Sequence, residues 1–163
     1  MNDFGCLMVD FDIEDWDKLY LKFNPVDLYI SGNYAKTGLP VVPHCTILYG
    51  FLPDVKHQEI LSLLPDINVY DFEIKNVDLF ENDDCDVLIV KLEDVVATTI
   101  NERLRQFPHE NKHPDYLPHI TVAYLKKGTG KKYKTQFKDW FWQTTLSPIN
   151  YRFSYSNGNE VTF

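Results

Sequence analysis

Two of the five histidines in the chain lie in near-copies of one short pattern. One copy reads PHCTILY and contains His44 and Thr46; the other reads PHITVAY and contains His119 and Thr121. Residues two apart in a β-strand point to the same face, roughly 7 Å apart. We therefore predict that each histidine shares a strand face with its threonine, and that a pseudo-two-fold relation between two halves of the chain brings the four side chains into one cleft.

Two imidazoles and two hydroxyls in one cleft suit the cleavage of a phosphodiester. An imidazole titrates near neutrality, so one histidine can accept a proton from the attacking oxygen while the other donates a proton to the leaving oxygen. The hydroxyls of Thr46 and Thr121 can hydrogen-bond the non-bridging oxygens as negative charge develops there. Because an imidazolium already supplies a positive charge, the pattern predicts no metal and no cofactor. The spacing does not indicate whether His44 or His119 is the base.

Aromatic residues make up 15% of the chain, and nucleobases bind to proteins by stacking on aromatic side chains. Strict alternation along a strand places Tyr49 and Tyr124 on the face opposite to the histidines, so these two are expected to pack in the interior. Four other aromatic residues are candidates for base stacking by type alone, with packing as the alternative: Tyr34, Trp140, Trp142 and Tyr155.

A cluster of lysines follows the second motif in a chain whose net charge is -8. It comprises Lys126, Lys127, Lys131, Lys132 and Lys134. Such a cluster can attract a substrate that carries phosphate. The alternative is a solvated face of a loop and helix.

His109 and His113 are four residues apart, a spacing at which two histidines can bind a metal. Pro108 and Pro114 bracket them and no paired cysteines accompany them, so we expect a loop without a ligand role.

The elements that must position the two motifs follow the order β-α-loop-β-α-β-β-α-loop-β-α-β-β. This order divides into two similar halves, each with one motif strand. The predicted strands are 5–11, 44–49, 69–80, 86–92, 119–125, 149–156 and 160–163, and the predicted helices are 13–23, 54–64, 94–106 and 128–142. Asp12 and Asp54 are the expected caps of the first two helices, and Asn157-Gly158 predicts the turn of a closing hairpin.

Composition limits the classes of protein and partner. A net charge of -8 argues against binding duplex DNA through many phosphate contacts. Three cysteines without a CxxC pair indicate reduced thiols and a cytoplasmic protein. Early acidic residues argue against a signal peptide, and the chain has no apolar run of the roughly 18 residues that a membrane helix needs. At 163 residues, one bilobal domain spanning 1–163 is expected, with a monomer favoured.

The tandem motifs resemble those of the 2H phosphoesterase superfamily, which includes RNA 2′,3′-cyclic phosphodiesterases of the LigT type. PHCTILYG looks like the first motif of that family and PHITVAY like the second. The resemblance implies an α+β bilobal fold, with two antiparallel sheets around a central cleft and helices on the outside. It also implies metal-independent cleavage of 2′,3′-cyclic phosphates or cyclic di- or oligonucleotides, with His44 and His119 as acid and base and Thr46 and Thr121 on the phosphate.

Two alternatives remain open. The stretch LYISGNYAKTGLPVVPHCTILYG is similar to small phage members that destroy cyclic nucleotide immune signals, the anti-CBASS phosphodiesterases, which would act in the host cytoplasm. A protein of another class would keep the cleft and sequester a nucleotide or an RNA 3′ end without turnover. The intact set of four motif residues argues against the second alternative.

Overall fold

The computed structural model describes residues 4–31, 38–110, 115–140 and 145–163. Eight strands and three α-helices lie in these ranges. The strands are β1 (Gly5–Phe11), β2 (His44–Phe51), β3 (Phe72–Glu81), β4 (Cys85–Leu92), β5 (His119–Lys126), β6 (Thr145–Leu146), β7 (Pro148–Ser154) and β8 (Glu160–Thr162). The helices are α1 (His57–Leu61), α2 (Val95–Leu104) and α3 (Gly130–Phe137). Short 3₁₀ segments add Trp16–Lys22, Pro25–Asp27 and Ile67–Val69.

All eight strands form one antiparallel sheet in the order β6-β3-β4-β5-β2-β1-β7-β8. Its two four-stranded halves meet between β5 and β2, where the only paired residues are Cys45 and Ile120. The α+β class is confirmed, and the two sheets that we expected are joined edge to edge through the motif strands. The C-terminal hairpin β7–β8 lies beside β1, so the halves are not the two consecutive segments that the element order indicated.

The hydrophobic core lies on one face of this sheet. Alternate residues of each central strand point into it and are fully or almost fully buried, among them Leu7, Val9, Ile47, Leu88 and Ile120. Because successive residues of a strand point to opposite faces, the motif residues between the core residues lie on the other face, where β1 and β4 also bury Asp10 and Ile89. In the described part of the chain, no helix is long and apolar enough to cross a bilayer.

Of the first three predicted helices, the first is a 3₁₀ segment and the other two are α-helices that differ from the prediction at their ends. The segment 13–23 forms the 3₁₀ turns Trp16–Lys22, and Asp15, in a left-handed conformation at φ 60°, replaces Asp12 at its start. Helix α1 begins after Lys56 rather than Asp54, and the Glu59 carboxylate accepts a hydrogen bond from the Lys56 amide at 3.2 Å. Helix α2 begins directly after Asp94, close to the predicted start at residue 94. Asp94 caps it, since its carboxylate accepts a hydrogen bond from the Ala97 amide at 2.8 Å.

The closing hairpin is present as predicted, with Gly158 at φ 86° in its turn. Helix α3 ends at Phe137, so the predicted helix over 128–142 is too long, and residues 141–144 lie outside the described part of the chain.

Beyond Cys45 and Ile120 the two motif strands separate, and the loop that precedes one motif pairs with the strand of the other. The Tyr29 amide donates to the Tyr124 carbonyl at 3.0 Å, and the Tyr124 amide donates to Gly38 at 2.8 Å. In the same way the Glu110 amide donates to the Gly50 carbonyl at 2.9 Å. Each motif strand is therefore held by the loop that leads into its counterpart.

Candidate active site

The pairing between the motif strands brings the four predicted residues together on one face. Cys45 is the partner of Ile120 in an antiparallel pair. His44 therefore lies opposite Thr121, and Thr46 lies opposite His119. The two histidines occupy one diagonal of this rectangle, at about 7–8 Å between backbones, and the threonines occupy the other diagonal. All four side chains are half-buried.

Both histidines are oriented by the same backbone contact. The Nδ1 atom of His44 lies 2.9 Å from the carbonyl oxygen of Val42, and the Nδ1 atom of His119 lies 2.7 Å from that of Leu117. A carbonyl oxygen can only accept, so each Nδ1 carries the proton. Each Nε2 is then an acceptor in the neutral ring and a donor in the imidazolium, as proton transfer to and from a substrate requires.

The partly buried position of the rings changes how they titrate. Desolvation lowers the pKa of both His44 and His119 below the ordinary value of 6.5, partly offset by the hydrogen bonds to Val42 and Leu117. The charge of His44 lowers the pKa of His119 further. The two rings therefore titrate as a coupled pair.

Irregularities at equivalent places in the two motif strands change which residues face the cleft. Thr46 pairs with Met8 but Leu48 pairs with Leu7, so β2 has an extra residue there. Strand β5 has the same bulge between Thr121 and Ala123 opposite Ile89 and Leu88.

The extra residue reverses the alternation beyond each threonine. Tyr49, paired with Cys6, and Tyr124, paired with Val87, therefore lie on the face of the histidines. Our expectation that these tyrosines point into the interior is wrong, because it assumed regular strands. Burial raises the pKa of Tyr124 and the Thr121 side chain partly offsets this rise, as expected for two side chains on one face.

Charged residues on the outer strands complete the face around His44. Asp10 lies opposite His44 on β1 and accepts from the Arg152 guanidinium at 2.9 Å on each of its oxygens. Arg152 also donates to Glu160 at 2.9 Å. Asp10 is 4% exposed. These three side chains carry two negative charges and one positive charge, so the half of the face next to His44 is negative.

The equivalent position beside His119 has the opposite sign. Lys91 lies opposite His119 on β4, and its ammonium lies 3.0 Å from the Asp78 carboxylate. Lys134 of α3 reaches the other oxygen of Asp78 at 2.6 Å. The two ammonium groups hold the pKa of the Asp78 carboxyl well below its usual range. This half of the face is positive by one charge, and sequence analysis missed both clusters because their members come from distant parts of the chain.

The cysteine inside the first motif does not offer a nucleophile. Cys45 is fully buried on the core side, where its thiol contacts the Tyr116 hydroxyl at 3.6 Å. Burial raises the pKa of Cys45 to about 11. Tyr116 in turn donates to the Thr46 carbonyl at 3.1 Å, which holds the motif strand in position.

Two of the four aromatic residues chosen by type, Trp140 and Tyr155, lie in the described part of the chain, and both pack against neighbouring rings. Trp140 packs edge to face on Phe137 of α3. The Tyr155 hydroxyl lies 2.5 Å from Nδ1 of His57, and its ring contacts Phe153 in the core. Tyr34 and Trp142 lie outside the described residues.

Most of the lysine cluster is engaged with carboxylates. Its ion pairs are Lys127 with Asp86, Lys131 with Glu81, Lys132 with Asp27 and Lys134 with Asp78. Only Lys134 among these four contributes to the histidine face, through Asp78. The ion pairs favour the alternative of a solvated face of a loop and helix for the other three, with Lys127 in the turn before α3.

His109 lies between elements α2 and β5, as predicted, and its Nδ1 atom lies 2.7 Å from the Phe107 carbonyl oxygen. His113 lies outside the described residues. Within the described ranges, no three His, Cys, Asp or Glu side chains are grouped closely enough to hold a metal ion.

No protein-family model and no curated protein matches the sequence. Among solved structures, Usb1 from Kluyveromyces marxianus, determined with uridine monophosphate, is similar to this chain with a TM-score of 0.56 at 10% sequence identity. The similarity covers 99% of this chain and 97% of that one. The two proteins therefore share their fold over essentially their whole lengths.

Proposed function

We propose that the protein is a phosphodiesterase of the 2H type that cleaves cyclic nucleotide phosphodiesters or RNA-end cyclic phosphates by general acid and base catalysis. The observation that carries the proposal is the rectangle formed by His44, Thr46, His119 and Thr121 on one sheet face. The matching hydrogen bonds to Nδ1 of both histidines leave both Nε2 atoms for proton transfer. The shared fold with Usb1, which was solved with a nucleotide, supports a nucleotide as ligand.

We infer a role for each histidine from the charged side chains opposite it. Arg152 lowers the pKa of His44, while the carboxylates of Asp10 and Glu160 raise it and so favour its protonated form. Lys91 rather than a carboxylate lies opposite His119, and the charge of His44 lowers the pKa of His119, which favours its neutral form. His44 is therefore the acid and His119 the base.

In hydrolysis of a 2′,3′-cyclic phosphate, Nε2 of His119 accepts a proton from water as the water oxygen bonds to phosphorus. The bond from phosphorus to one ribose oxygen breaks, and that oxygen takes the proton from Nε2 of His44. Thr46 and Thr121 hydrogen-bond the non-bridging oxygens while charge develops on them. One water is consumed, and exchange with solvent restores the two protonation states. Each proton transfer contributes about 10²–10⁴-fold to the rate.

The same site accommodates a cyclic dinucleotide if the neighbouring 2′-hydroxyl replaces water as the nucleophile. An anti-defence role, in which a phage protein removes cyclic nucleotide signals in the host cytoplasm, is the narrower form of the proposal. It draws only on the resemblance of the stretch before His44 to such proteins.

The test is turnover of 2′,3′-cyclic AMP and of cyclic dinucleotides in buffer with EDTA, with the doubly substituted His44→Ala, His119→Ala protein as control. Cleavage by the parent alone, undiminished by the chelator, is the expected result. Tight binding without turnover would instead support a module that sequesters nucleotides. Cleavage that requires an added metal would overturn the proposed mechanism.

A further inference from the structure

Two tyrosines occupy equivalent positions on either side of the histidine rectangle. Tyr49 follows Thr46 and Tyr124 follows Thr121, each on the far side of a bulge that turns it toward the histidine face. Because β2 and β5 are antiparallel, the two tyrosines lie at opposite ends of the cleft. Each is about 10 Å along the strand from the centre of the rectangle.

Tyr124 belongs to an aromatic cluster that is separate from the main core. Tyr124, Phe80 and Tyr29 are partly buried on a floor of Cys85, Val87 and Ile89. Phe80 also meets the ring of His119 edge to face, with 5.0 Å between ring centroids. An apolar aromatic surface thus begins at the candidate catalytic group and extends away from it.

Tyr49 is the equivalent residue in the other half of the sheet, and it is more exposed than Tyr124. Its side chain is 48% exposed, and Phe4 packs edge-on against the ring at 6.1 Å. Tyr49 lies opposite Cys6 on β1 and is not part of the main hydrophobic core.

We propose that the cleft binds a phosphodiester that carries a nucleobase on each side, with one base stacked on Tyr49 and the other on Tyr124 and Phe80. This inference rests on the proposed function, since it needs the phosphate to lie between His44 and His119. The distance from the rectangle to each tyrosine is comparable to the length of a nucleoside. A 2′,3′-cyclic mononucleotide has one base and would leave one tyrosine unoccupied, so the arrangement favours cyclic dinucleotides or other dinucleoside phosphodiesters.

The experiment compares a dinucleoside monophosphate with the nucleoside 3′-phosphate methyl ester, which keeps the phosphodiester but lacks the second base. Tyr49→Leu and Tyr124→Leu are each expected to lower kcat/KM for the dinucleoside about 10-fold or more, mainly through KM, because base stacking contributes at the substrate-bound stage. For the methyl ester, one of the two substitutions should cost much less than it does for the dinucleoside. Tyr49→Phe and Tyr124→Phe, which retain the ring, should recover most of the loss.

Tyr20→Leu is the matched control, since Tyr20 is 61% exposed on the 3₁₀ segment Trp16–Lys22, away from the cleft. Dinucleoside cleavage by both leucine variants within twofold of the Tyr20→Leu protein would overturn the inference and leave the proposed function intact. Equal losses on both substrates for both tyrosines would also overturn it, since they would indicate a general defect. A parent protein that cuts no phosphodiester would refute the proposed function itself.

Discussion

Asp10 lies directly opposite His44 on the neighbouring strand, and its carboxylate forms a bidentate ion pair with Arg152. The equivalent position opposite His119 is held by Lys91. The two halves of the sheet thus place similar motifs beside opposite charges. This difference is what distinguishes two histidines whose sequence contexts are almost the same.

The assignment of His44 as acid can be tested with a leaving group that needs no proton. A nitrophenyl phosphodiester releases nitrophenolate, which departs unprotonated. His44→Ala should lose about 10²–10⁴-fold on a nucleotide substrate but far less on the nitrophenyl ester, whereas His119→Ala should lose comparably on both. Single-turnover rates on the two substrates measure these losses. If His119→Ala, rather than His44→Ala, loses far less on the nitrophenyl ester, then His119 is the acid and His44 the base.

Substitution of the four motif residues should reduce turnover and leave the fold intact. His44→Ala and His119→Ala should each remove most activity, while Thr46→Ala and Thr121→Ala should cost less because each removes a hydrogen bond rather than a proton transfer. His57→Gln is the control, since His57 stacks on Phe163 and bonds Tyr155 outside the cleft. Circular dichroism and kcat/KM report fold and turnover; near-parent turnover without either motif histidine would refute the site.

The pH dependence follows from the lowered pKa of both rings. The reaction needs one histidine protonated and one neutral, and the protonated form is lost as pH rises through the higher pKa of the pair. Since desolvation holds both pKa values below 6.5, kcat/KM should be bell-shaped and should fall above about pH 6.5. A kcat/KM that rises through neutrality would contradict this.

The effect of Asp10 on the pH dependence of kcat/KM can be measured with a single substitution. Asp10 and Glu160 raise the pKa of His44, while Arg152 lowers it. Asp10→Asn removes one of the two carboxylates, so the alkaline limb of the bell should move to lower pH. An unmoved limb, in a variant shown by its circular dichroism to be folded, would mean that Asp10 does not act on His44.

Gly50 is the position in β2 where a side chain is least tolerated. Its φ is +106°, and a Cβ there would lie 1.9 Å from the Glu110 carbonyl oxygen. Glu110 belongs to the loop that hydrogen-bonds to this strand through the Gly50 carbonyl. Gly50→Ala should lower the free energy of unfolding by about 3 kcal/mol or more, measured by urea denaturation. Gly158→Ala is the control with φ +86° and open space around it, and should cost only about 1–2 kcal/mol. Equal losses of unfolding free energy in the two variants would mean that the loop at Glu110 moves aside without destabilising the protein.

The sequence alone was enough to predict the residues of the candidate site, most of the strands and the α+β class. Period-two alternation and the repeated Pro-His-x-Thr pattern are local features, and each motif residue occupies the strand that its neighbours predict. The closing hairpin followed from Asn157-Gly158, because that turn needs positive φ and glycine supplies it cheaply.

Three features depended on the tertiary structure. A bulge exists only relative to a partner strand, so Tyr49 and Tyr124 could not be assigned to the histidine face before the pairing with β1 and β4 was known. The charges that distinguish His44 from His119 come from strands far apart in sequence, since Asp10 meets Arg152 only when the C-terminal hairpin returns to β1. The joining of two half-sheets into one rests on a single backbone pair, Cys45 with Ile120, and no local pattern predicts which edges meet.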